Sequence, residues 1–163
     1  AGIIALQRAT YISSTHARNL TVANSIATSW AERLRVDALQ WNDKNGPDLT
    51  DTKWLKLVSS NPDQTVVPTE ITAFGSPVAD VLGSDAYAAP AEQAAFCTHV
   101  RFSRAPDLSG NPGSQIIADI RVFWSRSGDP VDCSTDPAQV DVNQGKYGAV
   151  YLTTSVLRNN LKD

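Results

Sequence analysis

The chain has 163 residues, a length that fits one domain with room for a buried core. Its hydrophobic content of 42% and charged content of 19% are ordinary for a globular protein. The net charge of −3 is small, so it predicts neither a nucleic-acid coat nor a disordered acidic tail. The chain contains no methionine, even at position 1, and we therefore expect that its front was processed or cut.

The first element is a long stretch without helix-breaking residues. Ile3 to Asn45 contains neither glycine nor proline, whereas all nine prolines and eight of the nine glycines come later. Gly46-Pro47 then predicts a helix stop, with the glycine in a left-handed conformation and the proline preventing continuation. We expect residues 1–45 to form one N-terminal helix, roughly 60 Å long at 1.5 Å per residue.

The apolar pattern of this helix changes along its length. From Leu20 to Trp41 an apolar stripe suited to covering a core is formed by Ala23, Ile26, Ala27, Trp30, Ala31, Leu34 and Ala38. Before Leu20 the stripe is diluted by polar residues such as Arg8 and His16. The pattern predicts that the C-terminal half of the helix packs on the domain and that the N-terminal half projects.

Residues 46–95 are expected to connect the helix to a sheet. An apolar island at Trp54–Val58 suggests one helical turn in a polar, turn-rich segment. Thr65–Phe74 has the composition of a first strand, and Pro68 favours an edge position for it. Residues 75–95 are rich in Ala, Ser, Gly and Pro, which is typical of a loop.

Residues 96–163 are expected to hold the remaining strands. The predicted strands are Cys97–Ser103, Ile116–Ser125 and Lys146–Arg158. The second is the clearest, because every second residue from Ile116 to Trp124 is apolar and could face a core. The row between them, Ile117 to Ser125, would form the opposite face. Residues 126–146 have the character of a long acidic loop. One long helix on roughly four antiparallel strands predicts a single α+β domain over residues 1–163.

Cys97 and Cys133 are the only thiols. Both lie beside predicted strands in the same half of the chain, which favours a disulfide in an oxidising compartment. Closing a loop of this length stabilises a fold by roughly 4 kcal/mol in the chain-entropy model. Two buried free thiols are the alternative.

Four segments give the chain a resemblance to type IV pilin-like proteins. Ala1–Leu6 is similar to the point where a pilin's membrane half-helix meets its soluble half. Glu32–Arg35 resembles the helical sequence that precedes the first loop in this family. Ile120–Gly128, which contains Trp124, resembles a strand of PilV-type minor pilins, and Val150–Val156 resembles their closing strand and that of type II secretion pseudopilins.

The resemblance implies a pilin-like fold and a structural, non-enzymatic role without a cofactor. Such a subunit sits in the inner membrane and periplasm, and then enters an extracellular pilus, at its initiation or tip. Its partners are other pilin or pseudopilin subunits and sometimes a tip adhesin. The alternatives are a type II secretion minor pseudopilin and a periplasmic or adhesin-binding module with a helical stalk.

The prepilin cleavage motif of the family is not in this sequence. We therefore expect that an apolar segment of about 25 residues, long enough to span a bilayer, was removed ahead of Ala1. The residues expected to pack against other subunits are on the projecting half of the helix: Leu6, Ala9, Ile12 and Leu20.

The residues that could carry enzyme chemistry are few. His16 and His99 are the only histidines, and we expect both to lie at the surface. No nucleophile-elbow, zinc-protease or phosphate-binding motif is present. No catalytic residue is assigned.

Three other groups were candidates for binding. Asp129, Asp132, Asp136 and Asp141 fall in one loop and are a weak Ca²⁺ candidate, against a solvated, disulfide-linked loop. Of the four tryptophans, only Trp54 is expected outside the core, where it would suit a partner site. Arginines on neighbouring strands could form a basic stripe, namely Arg101, Arg104, Arg121 and Arg126. Nucleic acid is not expected as a partner, because residues 45–163 hold nine basic and fourteen acidic residues.

Overall fold

A computed structural model describes residues 2–58, 65–66, 78–86, 94–106 and 112–158. For residues 2–12, 65–66, 106 and 112–114 it describes the backbone only. The fold is α+β: one long helix lies against an antiparallel sheet.

Helix α1 spans Gly2–Asn42, which is 41 residues. The predicted long helix is therefore confirmed, although it ends three residues earlier than expected. The expectation of a left-handed Gly46 is wrong, because this glycine has no positive φ. Gly46 is instead required by a close approach: a Cβ at this position would lie 1.9 Å from the carbonyl oxygen of Gln40 in the last helical turn.

The predicted packing face of α1 is confirmed. The seven residues of the predicted stripe and Trp41 are buried: Ala23, Ile26, Ala27, Trp30, Ala31, Leu34, Ala38 and Trp41. Two short 3₁₀ turns follow the helix, at Leu49–Asp51 and Leu55–Leu57. The carboxylate of Asp37 on the helix accepts hydrogen bonds from the backbone N–H groups of Trp54 and Leu55, and so holds the second turn against α1.

Trp54 corrects a sequence-based expectation. Its side chain is only 2% exposed and packs edge-on against Trp30, with ring centroids 4.9 Å apart. It belongs to the core and is not an open partner site. The expected core positions of Trp30, Trp41 and Trp124 are confirmed by exposed fractions of 1%, 5% and 2%.

The described sheet has five strands: β1 (Thr65–Val66), β2 (Val78–Ala79), β3 (Phe96–Pro106), β4 (Pro112–Ser125) and β5 (Tyr147–Leu157). The order is β1-β3-β4-β5, with β2 also paired to β3, and all pairings are antiparallel. The three long predicted strands are confirmed with longer bounds for the first two. Of the predicted first strand, residues 67–74 lie outside the described part of the chain, and β2 falls in a stretch that was expected to be a loop.

Both faces of β4 carry buried residues. One row packs toward α1 and consists of Ile116, Ala118, Ile120, Val122 and Trp124, as the alternation predicted. The other row includes Phe123, which is fully buried in a second apolar cluster with Cys97, Val131 and Tyr147. We call the α1 side the inner face of the sheet and the opposite side the outer face. The segment 126–146 covers part of the outer face.

A disulfide joins Cys97 on β3 to Cys133 in segment 126–146, with the two Cα atoms 5.2 Å apart. The predicted disulfide is thus confirmed. The same segment contains a short helix, α2 (Pro137–Val142), where a loop was predicted. Asp136 caps this helix by accepting a hydrogen bond from the backbone N–H of Ala138 at 2.8 Å.

Candidate functional site: the projecting helix and the disulfide-linked segment

The N-terminal part of α1 extends beyond the residues that pack on the core. Of the helix side chains that the structure describes, which start at Ser13, Leu20 is the first that packs against the hydrophobic core, and Ala23 is the first that is fully buried. The 18 helical residues Gly2–Asn19 precede this packed face and extend about 27 Å at 1.5 Å per residue. We call Gly2–Asn19 the projecting helix. Ser13, Ser14, Thr15, Ala17 and Arg18 are exposed.

The residues predicted to pack against other subunits all lie on or next to the projecting helix. Leu6, Ala9 and Ile12 are in its helical backbone, and their side chains are outside the description. Leu20 is half-buried against the core of its own domain. Their role in subunit packing stays a prediction. In the described part of the chain, no helix has both the length and the apolar character that crossing a bilayer requires.

A groove separates the projecting helix from the start of segment 126–146. It has a volume of about 500 Å³ and is lined on one side by Ser14, Arg18 and neighbouring helix residues, and on the other by Trp124 and residues 128–130. The ring of His16 lies 6.3 Å from that of Trp124 at the same junction. His16 is half-buried, whereas the sequence predicts a solvated surface position.

The second candidate region is a polar cluster on the outer face. His99 on β3 is only 1% exposed, so its predicted surface position is wrong. Its Nδ1 lies 2.7 Å from a terminal nitrogen of Arg121, and its Nε2 lies 3.0 Å from the carbonyl oxygen of Cys133. A guanidinium group can only donate, so Nδ1 is the acceptor and Nε2 carries the proton that is donated to Cys133. Burial is the main cause that lowers the pKa of His99, and the charge of Arg121 lowers it further.

Arg121 on β4 links His99 to α2. Its Nη1 donates to the Asp141 carboxylate at 2.6 Å and to the carbonyl oxygen of Pro137 at 3.0 Å. The hydroxyl of Tyr151 on β5 donates to the same carboxylate oxygen at 2.9 Å. Desolvation opposes ionisation of Asp141, but the bonds from Tyr151 and Arg121 outweigh it and lower the pKa of this carboxyl. Desolvation and the Asp141 carboxylate raise the pKa of Tyr151.

The cluster attaches segment 126–146 to three strands at once. His99, Arg121 and Tyr151 come from β3, β4 and β5, and they bind the Cys133 carbonyl and α2. A cavity of about 250 Å³ lies beside them. One local signal points to this arrangement. The outward row of β4 holds Phe123 two residues after Arg121, and a purely solvated face would not need an aromatic ring.

The structure does not bring the four acidic Ca²⁺ candidates together. Asp129 accepts from the Ser127 hydroxyl, Asp132 accepts from Ser134, Asp136 caps α2 and Asp141 binds Arg121. The two bonds from Ser134 lower the pKa of Asp132. Among the described residues, no group of three or more His, Cys, Asp or Glu side chains could hold a metal ion.

The arginines of the expected basic stripe are also divided. Arg121 is buried in the outer-face cluster, and Arg126 donates through Nε to the carbonyl oxygens of Gln144 and Tyr147. Arg101 is exposed and Arg104 is half-buried. At least two of the four side chains are therefore occupied in holding segment 126–146.

The chain matches no protein-family model, no curated protein and no solved structure. No relative therefore bears on the resemblance to pilins. The function has to be argued from the chain's own residues and geometry.

Proposed function

We propose that this chain is the extracytoplasmic part of a type IV pilin-like structural subunit, a minor pilin of PilV type, which packs against other subunits through α1. The observation that carries the proposal is the division of α1 into two parts. In this helix of 41 residues, Leu20 is the first described side chain that packs into the hydrophobic core, and His16, one turn earlier, lies near Trp124 at the edge of the groove. The alternative with the same geometry is a minor pseudopilin of a type II secretion system.

The projecting helix needs support from outside its own domain. Most of the stability of a helix in a protein comes from packing of its apolar face, and a short unsupported helix is marginal. Gly2–Asn19 has 18 residues and five exposed side chains just ahead of the packed part. Leu6, Ala9 and Ile12 follow one another at a spacing of three residues, which keeps them on one side of a helix. Neighbouring helices would supply the missing support.

The disulfide is consistent with the proposed location. Disulfides persist in the periplasm and outside the cell, and they are rare in the cytosol. We place the full subunit in the inner membrane and periplasm before assembly and in an extracellular pilus after it. Its partners are other pilin-like subunits and, at a tip position, an adhesin.

The test is a pair of charge substitutions on the projecting helix, made in the full-length gene of the producing bacterium. Ile12→Glu puts a carboxylate in the proposed packing row, whereas Ser14→Glu puts one at an exposed position on the other side of the helix. Burying a carboxylate costs several kcal/mol, so we expect Ile12→Glu to reduce the amount of this protein in sheared filaments by at least about tenfold. Ser14→Glu should leave that amount near the wild-type level.

Two results would overturn the proposal. One is equal incorporation of the Ile12→Glu and wild-type proteins into filaments. The other is a wild-type protein that never fractionates with filaments and whose deletion changes neither piliation nor secretion, which would favour a periplasmic binding module with a helical stalk.

A further inference from the structure

Strand β5 is the last strand of the described sheet. It pairs with β4 over eleven consecutive residues, from Ser125↔Tyr147 to Gln115↔Leu157, without a shift in register. Its sequence from Tyr147 to Leu157 contains no charged residue and no proline. Natural edge strands are usually protected from pairing by lysine, proline, bulges or short length. β5 has none of these four protections.

The backbone orientation of β5 follows from one hydrogen bond. The N–H of Arg126 donates to the carbonyl oxygen of Lys146 at 2.9 Å, directly beyond the paired residues Ser125 and Tyr147. Hydrogen-bonded and non-bonded pairs alternate in an antiparallel ladder. The even-numbered residues of β5 therefore bond to β4, and the odd-numbered residues turn their N–H and C=O groups away from it.

The two ends of this outward row are already occupied. The N–H of Tyr147 donates to Asn143, its carbonyl accepts from Arg126, and the carbonyl of Leu157 accepts from the Asn42 amide of α1 at 2.8 Å. Within the described part of the chain, no group bonds to the outward backbone of the four residues between them, which are Ala149, Tyr151, Thr153 and Ser155. Their outward N–H and C=O groups recur at every second residue, which is the spacing that the backbone of an added strand requires.

Exposed apolar side chains lie on both sides of this edge. Tyr151 and Leu157 are 65% and 57% exposed on the outer face. Leu39 is 74% exposed and precedes Asn42 by three residues, so it lies on the side of α1 that reaches the end of β5. A strand added beside β5 would therefore find apolar contacts above and below it.

We propose that β5 binds an extended strand of a different protein by strand addition, and that this partner strand is uncharged in its centre and acidic at both ends. Acidic ends would complement Lys146 and Arg158, which are exposed at the two ends of β5. They are held there by the rings of Tyr147 and Trp41, at 5.1 and 5.8 Å. Among the described residues, neither cation forms a salt bridge.

A second copy of this chain, paired over the full length of β5, does not fit the same charges. In the antiparallel register that overlaps Tyr147–Leu157 of two copies, residue numbers sum to 304, so Lys146 of each copy would face Arg158 of the other. Like charges directly opposite destabilise a strand pair, whereas opposite charges stabilise it. This surface lies apart from the projecting helix, so the inference does not depend on the proposed function.

The probe is a synthetic peptide that spans the 13 residues from Lys146 to Arg158, with glutamates at both ends and alternating valine and threonine between them. Amide hydrogen exchange, followed residue by residue by NMR, is the readout. The N–H groups of Ala149, Tyr151, Thr153 and Ser155 should exchange fast in the free protein and at least about tenfold more slowly with the peptide bound. The alternate amides, such as Val150 and Leu152, should be protected in both states.

Three comparisons make the experiment decisive. Ser155→Pro removes an outward N–H that no ladder bond uses, so it should fold and lose most of the peptide affinity. Ser155→Val keeps that N–H and should bind as the wild type does. A peptide with lysines in place of the glutamates should bind about tenfold more weakly or worse, because its ends face Lys146 and Arg158.

The inference is overturned if the glutamate peptide leaves exchange of the four wild-type amides unchanged at millimolar concentration. It is also overturned if the lysine peptide binds equally well. Protection of the same amides without any peptide, together with a dimer in sedimentation that Ser155→Pro dissociates, would make a second copy the occupant and would contradict the acidic partner.

Discussion

The two faces of the sheet are stabilised by different means. On the inner face, α1 covers the strands with tryptophan, leucine and alanine side chains. On the outer face, a smaller apolar cluster is supported by a disulfide and by the His99–Arg121–Asp141 cluster. Apolar burial depends on neither pH nor redox conditions. A disulfide responds to redox conditions, and a buried histidine responds to pH. We therefore expect the inner face to tolerate changes of pH and redox conditions to which segment 126–146 responds.

The largest effect is expected on the inner face. Trp30→Ala removes a side chain that is 1% exposed and that contacts Trp54. We expect a loss of about 4 to 5 kcal/mol in the free energy of unfolding, measured by urea denaturation. Trp30→Phe keeps most of the volume and should cost clearly less. A loss below about 1 kcal/mol for Trp30→Ala would contradict the position of this residue in the core.

Removal of the disulfide tests the outer face. The bond closes a sequence separation of 36 residues, so the double substitution Cys97→Ala and Cys133→Ala should cost about 3 to 4 kcal/mol in the chain-entropy model. Hydrogen exchange should rise most in α2 and segment 126–146, and least along the buried face of α1. Equal loosening of both regions would show that the two faces are not stabilised separately.

A smaller effect is expected from Arg121→Met. This change leaves the buried Nδ1 of His99 without its donor and removes the bonds to Asp141 and Pro137. We expect a cost of about 2 kcal/mol by thermal or urea denaturation, because a buried acceptor is left unsatisfied. Arg101→Met, at an exposed position of β3, is the matched control and should change stability by less than about 0.5 kcal/mol.

The smallest effect is expected in the pH dependence of stability, which tests whether His99 makes the outer face respond to pH. Burial lowers the pKa of His99, so below the ordinary value of 6.5 the unfolded chain binds this proton more readily than the folded chain does. Stability should therefore fall as the pH drops from 6.5 toward 5, with a slope of at most about 1.4 kcal/mol per pH unit from this group. Carboxylates titrate mainly below this range.

His99→Gln is the variant that separates this contribution. A glutamine side chain can both donate and accept but does not titrate, so the slope between pH 6.5 and 5 should decrease. If His99→Gln has the same pH profile as the wild type, His99 does not set the pH response of the outer face.

The parts of the fold that the sequence predicted depend on regular local patterns. The stripe from Ala23 to Ala38 and the alternation from Ile116 to Trp124 each belong to one element, so their periodicity identified the buried side directly. The short helix α2 also had a readable local signal that was missed. Asp136-Pro137 places a capping residue and a favoured first-turn proline side by side.

The errors concern residues whose partners are distant in sequence. Trp54 is buried because Trp30 lies under it, and His99 is buried because a disulfide brings Cys133 over β3. Neither contact has a local periodicity. The sequence predicts a left-handed conformation for Gly46, but a glycine is needed there because the Gln40 carbonyl oxygen of the preceding helix leaves no room for a Cβ. Predicting these positions needs the three-dimensional path of the chain.

The proposed subunit role can be tested most directly by cross-linking from the projecting helix. A photoreactive amino acid at position 9 of the full-length protein, placed in the producing bacterium, would report which chains lie against this helix in sheared filaments. We expect adducts with other pilin-like subunits from position 9 and far fewer from position 14. Filaments that yield no adduct from either position, or that contain none of this protein, would contradict it.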